Sequence, residues 1–296
     1  DGQYVRSRDL DKVKPAFQDL LDRMRTDYID LGMIHFVDEA AEFQSIMNGE
    51  FMEYVRGLKE QGIIRHIGMS THNPAVAKMG ALCGEIEMIL FSINPAFDML
   101  PASENIEDYF KERYEEELGG IAPERAELYR ICEQEEVGIT VMKGYAGGRL
   151  FSAEASPFGV ALTPVQCLHY ALTRPAVASV MVGYDTPEHV AAAVAYESAS
   201  EEEKDYATVL AGAPHHAYAG QCTYCGHCAP CPASIDIAMV NKLYDLAVMQ
   251  NEVPASLRAH YDGLSAGAAD CIGCGSCETR CPFGVHVVER MGQAKA

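Results

Sequence analysis

The chain's patterning predicts an α/β domain of parallel βαβ units followed by a small cysteine-rich domain. Three observations carry this: short apolar runs alternate with amphipathic helices over residues 1–212, the composition shifts to Ala, Gly, Pro and His around 211–221, and eight of eleven cysteines then fall in two short clusters. Parallel neighbours need a crossover, usually helical, so regular alternation of strand and helix signals a parallel sheet.

Val13, Phe17, Leu20, Leu21 and Met24 line one face of a first helix. Ile29 to Phe36 reads as a buried strand, and Phe51, Tyr54, Val55 and Leu58 restore helical spacing before Gly62. Ile63 to Ser70 is the second strand, and Asn73-Pro74 caps the next helix. Glu87 to Asn94 is the third strand, Glu124 to Glu136 a helix, and Ile139 to Lys143 the fourth strand. Thr163-Pro164 opens a helix to about Thr173, and Val177 to Val182 is the fifth strand. Thr186-Pro187 opens another helix, and Ser200 with Glu203 forms a capping box. The segment from Pro101 to Ile121, with its Glu115-Glu116-Glu117 run, interrupts the rhythm and reads as an acidic surface excursion, or else a lid. The stretch around Ala211 to Gln221, with His215-His216, reads as a linker; beyond it Ile235 to Met249 is helical.

Forty-eight per cent hydrophobic and 22 per cent charged residues over 296 positions exclude a disordered or low-complexity chain. A net charge of −20 argues against nucleic-acid and anionic-membrane partners. No apolar run is long enough to span a bilayer. The chain opens Asp1-Gly2-Gln3-Tyr4 with no signal-peptide core, so a cytoplasmic location is expected.

Cys222, Cys225, Cys228 and Cys231 stand two residues apart and are followed by Pro232. Cys271, Cys274, Cys277 and Cys281 repeat the pattern with one extra residue, followed by Pro282. In two-cluster ferredoxins three such thiolates face one cubane and the Cys beside the Pro ligates the other. Hence Cys222, Cys225, Cys228 and Cys281 are expected to hold one [4Fe-4S] cluster, and Cys271, Cys274, Cys277 and Cys231 a second. Structural zinc is the rival, although its sites use separated pairs; disulfides would need an oxidising compartment. Cys83, Cys132 and Cys167 lie in helical patterns and read as small buried hydrophobes.

Thr26-Asp27-Tyr28-Ile29-Asp30-Leu31 leading to Ile34-His35 resembles the fourth barrel strand of aldo-keto reductases, and Gly62 to Ser70 their fifth. Thr163 to Gln166, Arg174-Pro175, Val177 to Gly183 and Thr186-Pro187-Glu188 resemble the family's last βα unit. Residues Cys222 to Pro282 resemble the ferredoxin-like extension of its iron–sulfur branch. The resemblance implies a TIM (β/α)8 barrel that is incomplete here, about five strands of eight, followed by a mostly helical two-cluster domain. On that reading the barrel portion covers residues 1–212 and the ferredoxin-like domain 213–296, with about 90 residues of barrel preceding Asp1.

The family reduces carbonyls with NAD(P)H using Asp, Tyr, Lys and His. Of these, His35 alone finds a counterpart; the bland reading of His35 is a hydrogen-bonded core histidine. Ser70 and Thr71 stand where the family holds the nicotinamide carboxamide, Ser92 where a Gln is common, and Lys143 where an aromatic residue stacks. Gly144, Gly147 and Gly148 lie in a loop suited to phosphates, or in an ordinary tight turn. Gly183 and Thr186 open a helix able to take an anion. Asp185, with no Lys or Arg from Gly183 to Tyr196, argues against NADPH preference. The function expected is an oxidoreductase acting on a small carbonyl or alcohol, coupled to two [4Fe-4S] clusters and to a redox protein partner. The alternative is a catalytically silent barrel carrying an electron-transfer module.

Overall fold

The computed structural model describes residues 7–100, 120–215, 218–248 and 252–295. Helix α1 (Leu10–Met24) starts on Asp9, whose side chain accepts the Asp11 N–H, and stops where Arg25 turns left-handed at φ 54°. Strand β1 (Ile29–Ile34) follows, then α2 (Ala40–Met47) and α3 (Glu50–Glu60). Helix α2 has no counterpart in the sequence reading; its eight residues bury only Phe43 and Ile46, too few to reveal a period.

Strand β2 (Ile64–Thr71) leads to α4 (Pro74–Leu82), capped by Asn73 with proline at the first turn as expected. Strand β3 (Met88–Ser92) is buried throughout, and the short helix α5 (Pro95–Asp98) follows it. The segment read as an acidic excursion lies, up to residue 119, outside the described residues. Helix α6 (Pro123–Gln134), β4 (Gly138–Met142), α7 (Pro164–Leu172) and β5 (Val177–Val180) complete the alternation. Thr163 and Gln166 form a reciprocal capping box at α7. Helices α8 (Pro187–Val194), α9 (Glu201–Lys204) and α10 (Tyr206–Ala211) close this region.

Among the described residues, all five strands form one parallel sheet in the order β1-β2-β3-β4-β5, against the eight of a closed (β/α)8 barrel. Register places His35, just past β1, beside Ser70, because Ile34 pairs with Met69. Helix α4 packs tightly on β2: a Cβ on Gly80 would sit 2.4 Å from the Met69 sulfur, so a larger residue there would displace that side chain.

The remaining chain carries α11 (Ile237–Val248), α12 (Ala255–Asp262), α13 (Ser276–Arg280) and α14 (Val287–Gln293) among cysteine-bearing turns. It does not hang on an open linker. Tyr218, inside the stretch read as a linker, is fully buried: its ring meets Phe158, Tyr170 and Phe283, and its hydroxyl donates to the Pro95 carbonyl at 2.6 Å. Ile235, Ile237, Val240, Phe283 and Val287 share one hydrophobic core with Ile89, Val141 and Tyr170.

Candidate functional site

At the C-terminal edge of the sheet, β1 and β2 meet in a buried polar corner. Asp38, 3% exposed, accepts at Oδ1 from the His72 backbone N–H at 2.7 Å and from Thr71 Oγ1 at 3.0 Å. Its Oδ2 faces His72 Nδ1 at 3.0 Å, and its carbonyl takes Asn73 Nδ2 at 3.0 Å. Burial raises the Asp38 pKa, but the His72 side chain and backbone and the Thr71 hydroxyl outweigh it and hold it below the ordinary carboxylate range. Beside this corner the Phe36 N–H donates to Ser70 Oγ at 2.7 Å, and Ser70 Oγ lies 3.1 Å from His35 Nδ1. Where the Ser70 hydroxyl donates to Nδ1, the neutral His35 carries its proton on Nε2. Arg8 adds a clamp on the turn, donating to the His35 carbonyl at 2.9 Å.

Two non-glycine residues at strand ends adopt left-handed backbone: Phe36 at φ 58° and Lys143 at φ 61°. Such conformations cost about 1–3 kcal/mol each and gather at ligand-contacting turns. After β4 and β5 a cleft is lined by Lys143, Gly144, Gly147, Gly148, Gly183 and Asp185, with the Tyr145 and Phe151 rings packed 4.8 Å apart in its wall. Gly147 at φ 67° and Gly148 at φ 86° need glycine there, and consecutive left-handed residues turn backbone N–H groups toward one side.

The structure thus brings together five residues expected at a cofactor: Lys143, Gly144, Gly147, Gly148 and Gly183. Thr186 caps α8 at the cleft's margin, accepting the His189 N–H at 3.3 Å. Ser70 and Thr71 spend their hydroxyls inside the protein, on His35 and Asp38 respectively. Ser92 is 1% exposed, its Oγ has no partner, and its carbonyl takes Arg125 at 2.8 Å. The sequence reading missed Asp38 and His72; their signal is that polar residues follow both strand ends that the register makes neighbours.

Cys231, Cys271, Cys274 and Cys277 line one cavity, with Arg280 beside them, so the cysteine before Pro232 lies with the other run. Cys222, Cys225 and Cys228 lie within electrostatic reach of one another, Cys281 reaches Cys225, and Cys277 reaches Cys228. Among the described residues, no three His, Cys, Asp or Glu side chains close on the position of a single ion. Left-handed Tyr224, Gly226, Gly273 and Gly275 bend the loops so that N–H groups reach sulfur. Tyr224 donates to Cys222, His227 to Cys225 and Ser276 to Cys274 from their backbones, and Val285 N lies 3.4 Å from Cys281 Sγ. Asn241 Nδ2 adds a donor 3.6 Å from Cys222 Sγ. Burial pushes the Cys222 thiol up to about 11 and Cys228 to about 12, while the Ser276 donors lower Cys274. The donor set, thiolates in N–H-lined turns, fits a large anionic iron–sulfur group. Cys132 and Cys167 sit elsewhere, fully buried, with thiols pushed up to about 12.

The model of the aldo/keto reductase family matches residues 7–160, more than half of the 296. The chain belongs to the aldo/keto reductase family. A 4Fe-4S dicluster domain model matches residues 217–285, so this aldo/keto reductase carries an iron–sulfur domain at its C-terminal side. Methylglyoxal reductase DkgB of Salmonella typhi is 31% identical over 83 residues, 26% of this chain and 30% of that protein. The same protein of Escherichia coli O157:H7 matches over the same extent. The chain therefore spans about a third of the length of these curated relatives. Aldo-keto reductase AKR11C1 from Bacillus halodurans, in its holo form, superposes at TM-score 0.47 and 23% identity, covering 68% of this chain and 66% of that one. The enzyme MGS-M4 from a Medee basin deep-sea metagenome library gives TM-score 0.42 and 15% identity over 66% and 64%. Among the described residues, no helix is long and apolar enough to cross a membrane.

Proposed function

We propose that this protein is an oxidoreductase coupling nicotinamide-dependent carbonyl/alcohol chemistry at the strand ends of its barrel to two [4Fe-4S] clusters. Residues 1–212 serve the barrel and 213–296 the clusters. The observation that carries the reading is the cleft after β4 and β5, which gathers Lys143, Gly144, Gly147, Gly148 and Gly183 on the edge that also bears His35.

A bound nicotinamide supplies hydride, and the clusters supply single electrons. This chain's own residues bind and orient. The turn of Gly147 and Gly148, whose Gly148 N–H is held by the Tyr145 carbonyl at 2.8 Å, brings side-chain-free backbone up to a dinucleotide's phosphates, and Lys143 adds a positive charge beside it. Asp185 lines the same cleft and disfavours a 2′-phosphate, which supports NADH over NADPH. His35, with Ser70 Oγ 3.1 Å from its Nδ1, presents its Nε2–H form to a carbonyl oxygen and polarises it. Proton delivery falls to the family's tyrosine, which the resemblance places on strands preceding β1. The eight thiolates call for a reducing compartment, the cytoplasm. The partners are a small carbonyl or alcohol substrate and a redox protein; a net charge of −20 disfavours nucleic acid and membrane surfaces.

Full-length protein, purified anaerobically, tests this by NADH and NADPH oxidation across a carbonyl panel, beside iron and sulfide analysis. Nicotinamide-dependent reduction with iron and sulfide near about eight each per chain is expected. A second reading, a silent barrel carrying an electron-transfer module, draws support from the internal bonding of Ser70 and Thr71 and the burial of Ser92. It wins if no nicotinamide binds while the clusters accept electrons from a ferredoxin.

A further inference from the structure

Among the described residues two arginines are completely buried, and they are not alike. Arg125 has its counter-charge in Asp98, 3.5 Å away and equally buried. Arg174, 1% exposed, has no carboxylate within ion-pair distance among the described residues. One of its nitrogens donates to Thr173 Oγ1 at 2.9 Å, the Tyr206 hydroxyl at 3.3 Å and the Thr223 carbonyl at 2.5 Å. The other two, Nε and the second Nη, are buried with no hydrogen-bond partner. Its guanidinium carbon lies 4.4 Å from the Tyr170 ring centre and 5.6 Å from that of Tyr224.

Hydrogen bonding to Thr223 does not explain the charge, because the Tyr206 hydroxyl already donates to that carbonyl at 2.8 Å. Asp98 also acts on Arg174 from beyond the Tyr170 hydroxyl, but one carboxylate balances one of the two buried cations, and the charge left over is a large penalty, kept only where the finished protein contains the compensating charge. Thr223 and Tyr224 lie in the loop between Cys222 and Cys225, so the guanidinium sits directly behind the first cysteine set. A thiolate-ligated iron–sulfur cluster is net negative and gains a further unit of negative charge on one-electron reduction.

We propose that Arg174 is the buried counter-charge of the cluster held by Cys222, Cys225, Cys228 and Cys281, and that it raises that cluster's reduction potential. The inference rests on the cluster reading above. Because the added electron meets a fixed positive charge in a low-dielectric setting, the reduced form is favoured more than the oxidised one. No bond is made or broken: the cluster accepts one electron and Arg174 keeps its proton. Arg174 acts through the cluster and its loop and is a positioning residue, not one that touches substrate.

The test is a dithionite redox titration of full-length protein, followed by electron paramagnetic resonance, with iron and sulfide measured on the same samples. Arg174→Gln removes the charge and keeps a donor for the Thr223 carbonyl; Arg174→Lys keeps the charge. At the wild-type midpoint, the Gln variant is expected to hold one cluster about tenfold further toward the oxidised form, a shift of 59 mV for a one-electron couple. The second cluster is expected unmoved, and the Lys variant close to wild type. Unchanged potentials for both clusters in the Gln variant overturn the proposal, as does an equal shift in the Gln and Lys variants. If the Gln variant loses one cluster, its retention in the Lys variant supports the charge role, and loss from both overturns it. Absence of an iron–sulfur signal in wild-type protein sinks the cluster reading itself, a separate result.

Discussion

Asp38 ties the ends of β1 and β2 together, and its removal is the most informative single perturbation of the barrel edge. Asp38→Ala strands three buried donors: the His72 N–H, His72 Nδ1 and Thr71 Oγ1, now bonded at 2.7, 3.0 and 3.0 Å. Each stranded donor costs about 1–3 kcal/mol. They share one acceptor group, so the sum is less than additive and about 4 kcal/mol is expected. At about 2–4 °C per kcal/mol for a chain of this order, the melting temperature falls by about 10 °C. Asp38→Asn keeps an acceptor for the His72 N–H and presents its amide to His72 Nδ1, which becomes an acceptor in the other tautomer. Its cost is accordingly smaller, about 1–2 kcal/mol.

Acid behaviour follows from the same contacts. The folded-state pKa of Asp38 lies below the ordinary aspartate value of 3.8, so its stabilisation is complete above that value and is lost as pH falls through the lower folded one. Wild-type and Asp38→Asn melting temperatures therefore converge below about pH 4. The assay is thermal unfolding by far-ultraviolet circular dichroism under anaerobic conditions, repeated across the acid range. A melting temperature for Asp38→Ala within about 2 °C of wild type refutes the argument, since that is under 1 kcal/mol. So does an Asn variant that is less stable than the Ala variant.

Cys281→Ser is expected to empty the site of Cys222, Cys225 and Cys228 rather than that of its own run, halving the iron; Cys132→Ser should leave it unchanged, both read by iron and sulfide analysis. Glu87 is held down to about 2: burial opposes its charge, but Lys59 at 2.5 Å, His66 at 2.9 Å and the Ile67 N–H outweigh it. Its side chain is 38% exposed, so screening limits Glu87→Gln to under about 1 kcal/mol. That small stabilisation is present above pH 4.5 and fades toward about 2, visible as an acid-limb difference in melting temperature. Tyr218→Phe keeps the ring contacts and deletes the donor to Pro95, costing about 1 kcal/mol or 2–4 °C by scanning calorimetry.

The five strands, the proline-led helix starts and the capping boxes were legible because each rests on local chemistry: an apolar run, an Asn-Pro or Thr-Pro pair, a Ser three residues before a Glu. Cys231 lines a cavity with Cys271, Cys274 and Cys277, the neighbours that its spacing and trailing proline predict. What periodicity hides is a polar residue inside the core. Arg125 occupies the same stripe of α6 as Leu128, Tyr129 and Cys132, and position alone does not distinguish a charged intruder from a solvated neighbour. Its meaning comes from Asp98, 27 residues earlier, which Tyr129 and Tyr170 also reach at 2.5 and 2.7 Å. Tyr218 was lost for a related reason: Ala, Gly and His around it read as linker, yet its hydroxyl partner stands 123 residues away.

That buried polar web joins the sheet to the cysteine loops without a break. Arg125 holds the Ser92 carbonyl at the end of β3 and pairs with Asp98. Asp98 takes the Tyr170 hydroxyl, whose ring lies under Arg174, and Arg174 grips the Thr223 carbonyl between Cys222 and Cys225. Every member has little or no exposed surface, so none gives way without leaving a buried polar group unsatisfied. A domain tethered only by a flexible linker would let the distance between strand ends and cysteine loops vary, and electron exchange with it. Here Tyr218 and the shared apolar core remove that freedom. The spacing between the sheet's strand ends and the loop of Cys222 to Cys225 is thus a property of one packed interior.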